Sequence, residues 1–165
     1  MMLSMPHQIQ MTGPLQPRED WVVDRCPIAA TLDVVSTRSA FLILREAFYG
    51  ATRFEQFVQR AQISEPVAAA RLRELTGAGL LDREPYRDPG QRTRSEYHLS
   101  VKGADLAPAL IALMDWGDRW GIDGGARVEL RHAGCGAKVH AELRCTDGHG
   151  VQVAELELGL KRPEG

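Results

Sequence analysis

The chain has 165 residues, 44% apolar and 25% charged, which suits a folded domain with an appendage and excludes a wholly disordered chain. Its net charge of −2 excludes the strongly basic class that holds nucleic acid by bulk charge, so any such binding must come from local placement of Lys and Arg. No apolar run reaches the ~18 residues that span a bilayer, no signal core opens the chain, and three cysteines do not pair into a scaffold; the expectation is a cytoplasmic protein without a membrane partner.

Residues 1–20 carry Pro6, Pro14 and Pro17 and no periodicity, which predicts a disordered arm. Regular pattern begins at Cys26-Pro27, where the proline suits a first helical turn, and "IAATLDVV" continues it to about Ser36. A second helix, capped by Ser36 or Thr37, runs through "AFLILREAFYG" and stops at Gly50; Phe41, Leu42, Leu44, Ala47 and Phe48 fall at helical spacing. "TRFE" has the form of a capping box, Thr52 with Glu55, opening a third helix with Phe54, Phe57, Val58 and Ala61 on its apolar face. Ser64 caps the fourth, with Pro66 in its first turn, and Gly79 ends it. "LLDREPY" and "RSEYHLS" then flank the Pro-Gly turn of "RDPGQRT" and predict a β-hairpin. Ser100 caps a last helix, "VKGADLAPALIALMDWGDRW", which Pro108 should bend. Compact helices followed by a hairpin predict an α+β fold, a winged helix-turn-helix whose central pair starts at Thr52 and Ser64.

The fourth helix is two-faced. Ala68, Leu72 and Leu75, flanked by Val67, fall on one side and suit a core. Pro66, Ala69, Ala70 and Arg73 fall opposite. Small side chains there let the backbone approach a major groove, where alanine methyls can touch thymine methyls and an arginine can grip guanine O6 and N7. Arg71, at the border, suits a phosphate or a nearby carboxylate. An exposed helix face merely rich in the best helix former is the plain alternative. The hairpin weighs against it: Arg87, Arg92 and Arg94 cluster at the tip with only Asp88 opposing, as a wing on a DNA backbone or minor groove would have. The candidate DNA-binding residues are therefore Ser64, Pro66, Ala69, Ala70, Arg71, Arg73, Arg87, Arg92 and Arg94.

In "CPIAATLDVV", "LILREAFYG", "RFEQF", "ISEPVAAARLRELTGAGLLDREPY", "YHLSVKG" and "LMDWGDRW", about Cys26 to Trp120, the chain resembles HxlR-type winged-helix transcriptional regulators. The resemblance implies a homodimeric DNA-binding regulator on a palindromic operator, answering to a small-molecule or redox effector. One departure is "STRS" at Ser36–Ser39, where many relatives carry "GDRW". In some relatives the cysteine matching Cys26 senses oxidants through an intersubunit disulfide; here Arg25 would assist a thiolate and Asp24 oppose it. The bland role for Cys26 is a small buried residue at a helix start.

In the last helix Leu106, Leu110, Leu113, Gly117 and Trp120 form a heptad-like seam, and Ala109, Ala112 and Trp116 a second stripe. One stripe can cover the domain while the other meets a second copy. After Trp120, "GIDGGA" reads as a linker. The tail over 121–165 alternates like short strands, a small ribbon-like β appendage to a domain over 21–120. It holds His132, Cys135, Cys145 and His149, four N/S groups in two pairs that can close a structural zinc site. Relatives often end this ribbon in C-x-x-C-G; here a cysteine is missing and His149 follows one residue later. A metal-free remnant is the competing reading. No glycine-rich phosphate loop or nucleophile turn is present, so an enzyme is not expected. The competing function is a winged-helix protein-interaction module with a structural metal-binding tail.

Overall fold

The structure, a computed structural model, describes residues 8–16, 19, 25–35, 37–87, 89–90 and 92–161. Asp24, Ser36 and Asp88, which the sequence reading invoked, lie outside the described residues. In chain order the elements are β1 (Gln10–Met11), α1 (Pro27–Val35), α2 (Arg38–Phe48), α3 (Phe54–Ala61), α4 (Glu65–Gly77), β2 (Leu81–Tyr86), β3 (Arg94–Leu99), α5 (Val101–Ala104), α6 (Ala107–Trp116) and β4 (Glu157–Leu158). They fall into two compact units, Cys26–Ala141 and Met1–Arg25 with Glu142–Gly165.

The larger unit is a winged helix-turn-helix. Its core is made of Val35, Ala40, Ile43, Leu44, Ala51, Phe57, Leu72, Leu75, Leu80 and Leu81. Thr37 caps α2 by accepting from the Ala40 amide at 3.1 Å, and Gly50 leaves the helix at φ +83°. Ile43 and Leu44 are wholly buried, Phe41 and Ala47 pack at the edge, and α2 lies against both α3 and α4. Glu46, 6% exposed, is tolerated there because Arg45 reaches it with Nε at 2.8 Å and Nη2 at 2.6 Å.

α3 starts later than the capping-box reading expects, and with a different partner. The Thr52 carbonyl accepts from Tyr97 N at 2.8 Å and Arg53 bridges Glu96, so residues 52–53 stay extended beside β3. Gln56, not Glu55, reaches back, its Oε1 accepting from the amides of Thr52 (2.9 Å) and Arg53 (3.1 Å). Strand pairing displaces the helix start by a residue, and the side chain at the correct offset changes with it.

The predicted single helix from Ser100 is three pieces. Ser100 does cap α5, accepting from Gly103 N at 3.0 Å. The chain breaks at Asp105–Leu106, α6 restarts with Pro108 in its first turn, and a π-helical turn covers Gly117–Gly121. Pro108 lacks the N–H that a continuous helix would require, so the expected bend becomes a restart. The seam divides accordingly. Leu106 and Leu110 pack on the core, whereas Leu113 and Trp120 (70%) are exposed, as is Trp116 (64%) of the second stripe.

The larger unit also extends beyond residue 120, where the sequence placed a domain boundary. Asp118 Oδ1 accepts from Ala126 N at 2.5 Å, Asp115 Oδ2 accepts from Ala141 N at 2.7 Å, and Lys138 Nζ lies 3.3 Å from Asp118 Oδ2. These bonds tie 126–141 to the end of α6. Strand alternation in this segment shrinks to one bridge, Arg131↔Lys138.

In the smaller unit, part of the predicted disordered arm is ordered: β1 runs parallel to β4, Gln10 opposite Glu157 and Met11 opposite Leu158. Amides of Gln10 and Thr12 donate to the Leu156 and Leu158 carbonyls, both at 3.0 Å. Backbone pairing needs no hydrophobic period, so composition alone does not reveal it. A second bridge, Arg144↔Gly150, closes the turn at Gly148 (φ +82°).

Candidate nucleic-acid interface

α4 is anchored by one face and offers the other. Ala68, Leu72 and Leu75 are fully buried, as their spacing predicts. Ser64 occupies the N-cap position with extended backbone, but its hydroxyl makes no capping bond, and Pro66 follows in the first turn. The C-terminus is a Schellman closure: Gly79 N donates to Thr76 O and Leu80 N to Leu75 O, each at 2.9 Å, with Gly79 at φ +71°. Lys102 Nζ donates to Ala78 O at 2.8 Å, a cation at the negative end of the helix. The helix is thus held at its buried face and its far end.

On the opposite face Ser64, Pro66 and Arg73 are exposed and Ala69 and Ala70 are half-buried. Val67, expected beside the core, is 38% exposed and belongs to this outer surface. Arg73 has no hydrogen-bond or ion-pair partner among the described residues. Arg71 does: its guanidinium pairs with Glu74 one turn on, the local-carboxylate option of the sequence reading. Its Nε is buried without a hydrogen-bond partner.

β2 and β3 pair antiparallel, Leu81 opposite Leu99 through Tyr86 opposite Arg94, around a turn containing Pro89 and Gly90 at φ +76°. Arg87 and Arg92 are exposed near the tip. Arg94 is instead tethered, Nη1 to Glu55 Oε1 at 2.9 Å. Arg53 donates from Nε to Glu96 at 3.2 Å, and its guanidinium lies 4.6 Å from the Tyr86 ring centroid. Phe57 meets Tyr97 edge-on at 6.2 Å, packing the hairpin base on α3.

Arg53, Glu55 and Glu96 escaped the sequence reading. Arg53 bridges Glu96 across strand backbones, and Glu55, two residues on in the first turn of α3, pairs with Arg94, two residues before Glu96. Assigning Glu55 to a capping box hid its pairing with Arg94.

Cys26 is a half-exposed free thiol beside Pro27. The residues expected to hold zinc fall as two pairs in different units, His132 and Cys135 in the larger and Cys145 and His149 in the smaller. His132 Nδ1 lies 3.2 Å from Cys135 Sγ in the larger unit, closing a turn at Gly136 (φ +71°). Cys145 and His149 belong to the smaller unit, joined by a backbone bond of 3.0 Å. No group of three or more His, Cys, Asp or Glu suited to a metal occurs among the described residues. Each pair closes its own glycine turn.

A model of the HxlR-like helix-turn-helix family matches residues 34–124. The HTH-type transcriptional regulator Rv3095 of Mycobacterium tuberculosis is 40% identical over 120 residues, 72% of this chain and 75% of that protein. Among solved structures, the transcription-factor structure PA1607 superposes with a TM-score of 0.70 at 32% identity, over 78% of this chain and 90% of that one. The redox regulator HypR in its reduced form gives 0.52 at 26% identity, over 60% of this chain and 99% of HypR.

Proposed function

Because the chain belongs to the HxlR-like helix-turn-helix family, we propose that it is a sequence-specific DNA-binding transcriptional regulator, acting as a homodimer on a palindromic operator. α4 enters the major groove and the hairpin tip lies on the backbone or in the minor groove. The observation that carries this reading is Arg73: an exposed guanidinium with no protein partner among the described residues, beside the half-buried Ala69 and Ala70 on the α4 face opposite the core. A bidentate arginine–guanine contact is worth about 1–3 kcal/mol of discrimination. Arg73→Ala should therefore weaken operator binding by that amount and leave non-specific DNA binding nearly intact. Unchanged operator affinity would put the wrong face in the groove. Arg92→Ala should weaken binding to all sequences alike and lower the slope of log affinity against log salt.

The dimer rests on exposed apolar residues along α6, Leu113 and Trp116, with Trp120 beyond them and Ile28 (71%) and Leu32 on α1. Two copies would place their recognition helices about 34 Å apart on successive major grooves. Cys26 is the proposed redox residue, supported by the likeness to HypR and by a half-exposed thiol at the start of α1. Peroxide should convert the chain to a disulfide-linked dimer on a non-reducing gel, and Cys26→Ser should abolish that species. If the chain shows no salt-dependent binding to its own upstream DNA, the protein-interaction reading replaces this one.

A further inference from the structure

Between α2 and α6 lies a cavity of about 320 Å³. Phe41 and Phe48 wall it from α2, Leu110, Ile111 and Met114 from α6, and Leu130 closes one side. The volume is at the lower end of what small-molecule sites offer, and a carbon-rich wall with few polar groups is their usual composition. Two polar side chains reach the rim, Arg45 and Tyr49. The Arg45 charge is already met by Glu46 at 2.6–2.8 Å. The Tyr49 hydroxyl rests 3.6 Å from the Met114 sulfur, a weak acceptor that a better one can replace.

A second copy of the chain does not suit this space. At about 100° per residue, Ala107, Leu110, Ile111 and Met114 centre on one side of α6, roughly opposite Ala109, Ala112 and Trp116; Leu113, which also lines the cavity and is 54% exposed, stands at its rim between the two sides. The cavity sits on the first of these sides, away from Trp116. A charged ligand would lose its hydration against hydrocarbon, and the Arg45 cation at the rim is already paired.

We propose that this cavity binds a neutral, largely hydrocarbon molecule of one or two rings carrying a hydrogen-bond acceptor, which Tyr49 engages. α2 forms one wall and also packs against α3 and α4, and Arg45 Nη2 donates to the Arg60 carbonyl on α3 at 3.5 Å. Occupancy that shifts α2 against α6 therefore shifts the seat of α4. This regulatory consequence, unlike the site itself, rests on the DNA-binding reading.

The probe is prodan, a neutral naphthalene ketone whose emission moves to the blue in apolar surroundings. Titrated against the full chain, it should bind saturably, one per chain. Ile111→Trp, which fills the cavity from α6, should weaken binding at least tenfold. Leu42→Trp fills it from α2 and serves if the first variant fails to fold, each being checked for wild-type helix content. No saturable binding, or wild-type affinity in a folded filled variant, overturns the site. So does loss of binding in Trp116→Ser, which would put the probe on the outer face of α6. Operator affinity of the wild-type chain with saturating prodan should differ several-fold from that without. Operator binding insensitive to prodan overturns the regulatory consequence alone. Absence of operator binding even without prodan counts against the DNA reading, takes that consequence with it and leaves the site standing.

Discussion

Gly103 is the tightest residue of the α5 turn: a Cβ there would lie 2.1 Å from the Leu80 carbonyl oxygen and 3.1 Å from the Leu99 side chain. That carbonyl accepts from the Ser100 amide at 3.1 Å and cannot retreat without breaking the strap that follows α4. Gly103→Ala should destabilise the fold by about 1–3 kcal/mol, read as a lower denaturant midpoint at unchanged slope. Gly77, inside α4, has open space around its Cβ position and ordinary helical φ. Gly77→Ala should raise stability by about 0.5 kcal/mol, because alanine loses less backbone entropy in a helix. Equal effects of the two substitutions would mean that close approach is not what holds Gly103. At this scale the sequence was informative where one side chain acts by itself. Arg73 on a bare face and Thr37 as a cap needed only local spacing. The pairing of Arg71 with Glu74 and of Arg94 with Glu55 needed the positions of neighbours.

Among the elements, the hairpin is held to α3 by two ion pairs and one cation–π contact, and this sets what its arginines can do. Glu55, 2.9 Å from Arg94, neutralises the charge that Arg94 would offer a phosphate. Glu55→Gln releases Arg94 and removes a negative charge from the same surface. Non-specific DNA binding should then tighten, and the salt slope should steepen by about one. An unchanged slope would mean that Arg94 stays out of the interface in both proteins. The four helices and the hairpin were legible because each carries its own period and stop signal: Gly50, Gly79 and the Pro-Gly turn. The last helix was not. Its helical spacing continues from Val101 to Trp120, so Pro108 reads as a bend within one helix, whereas the chain breaks at Asp105–Leu106, restarts with Pro108 in the first turn of α6 and ends in a π turn.

For the molecule as a whole, Asp118 and Asp115 decide how far the larger unit reaches. The Asp118 carboxyl is held below the ordinary carboxylate value of 3.8, chiefly by the Ala126 amide and next by Lys138. A carboxylate with a lowered folded pKa contributes stability that is present above its ordinary value and fades as pH falls through the folded one. Pepsin cleavage within 126–141 should therefore rise as the pH drops below 3.8, and Asp118→Asn should show that susceptibility at higher pH as well. An Asn variant with the wild-type pH profile would assign the acid response elsewhere. Assembly is tested by sedimentation: the wild-type chain should run as a dimer and Trp116→Asp as a monomer, and a wild-type monomer would remove the palindromic operator. By itself the sequence determined the winged helix-turn-helix, because helical and strand periods, caps and turn residues are local and all agree. It also determined which face of α4 is small and where its arginine sits. Only the tertiary structure decided which arginines are already paired, that the seam of α6 splits between core and surface, and that a cavity lies between α2 and α6. Those depend on which side chains meet across elements distant in sequence, and periodicity specifies a face without specifying what faces it.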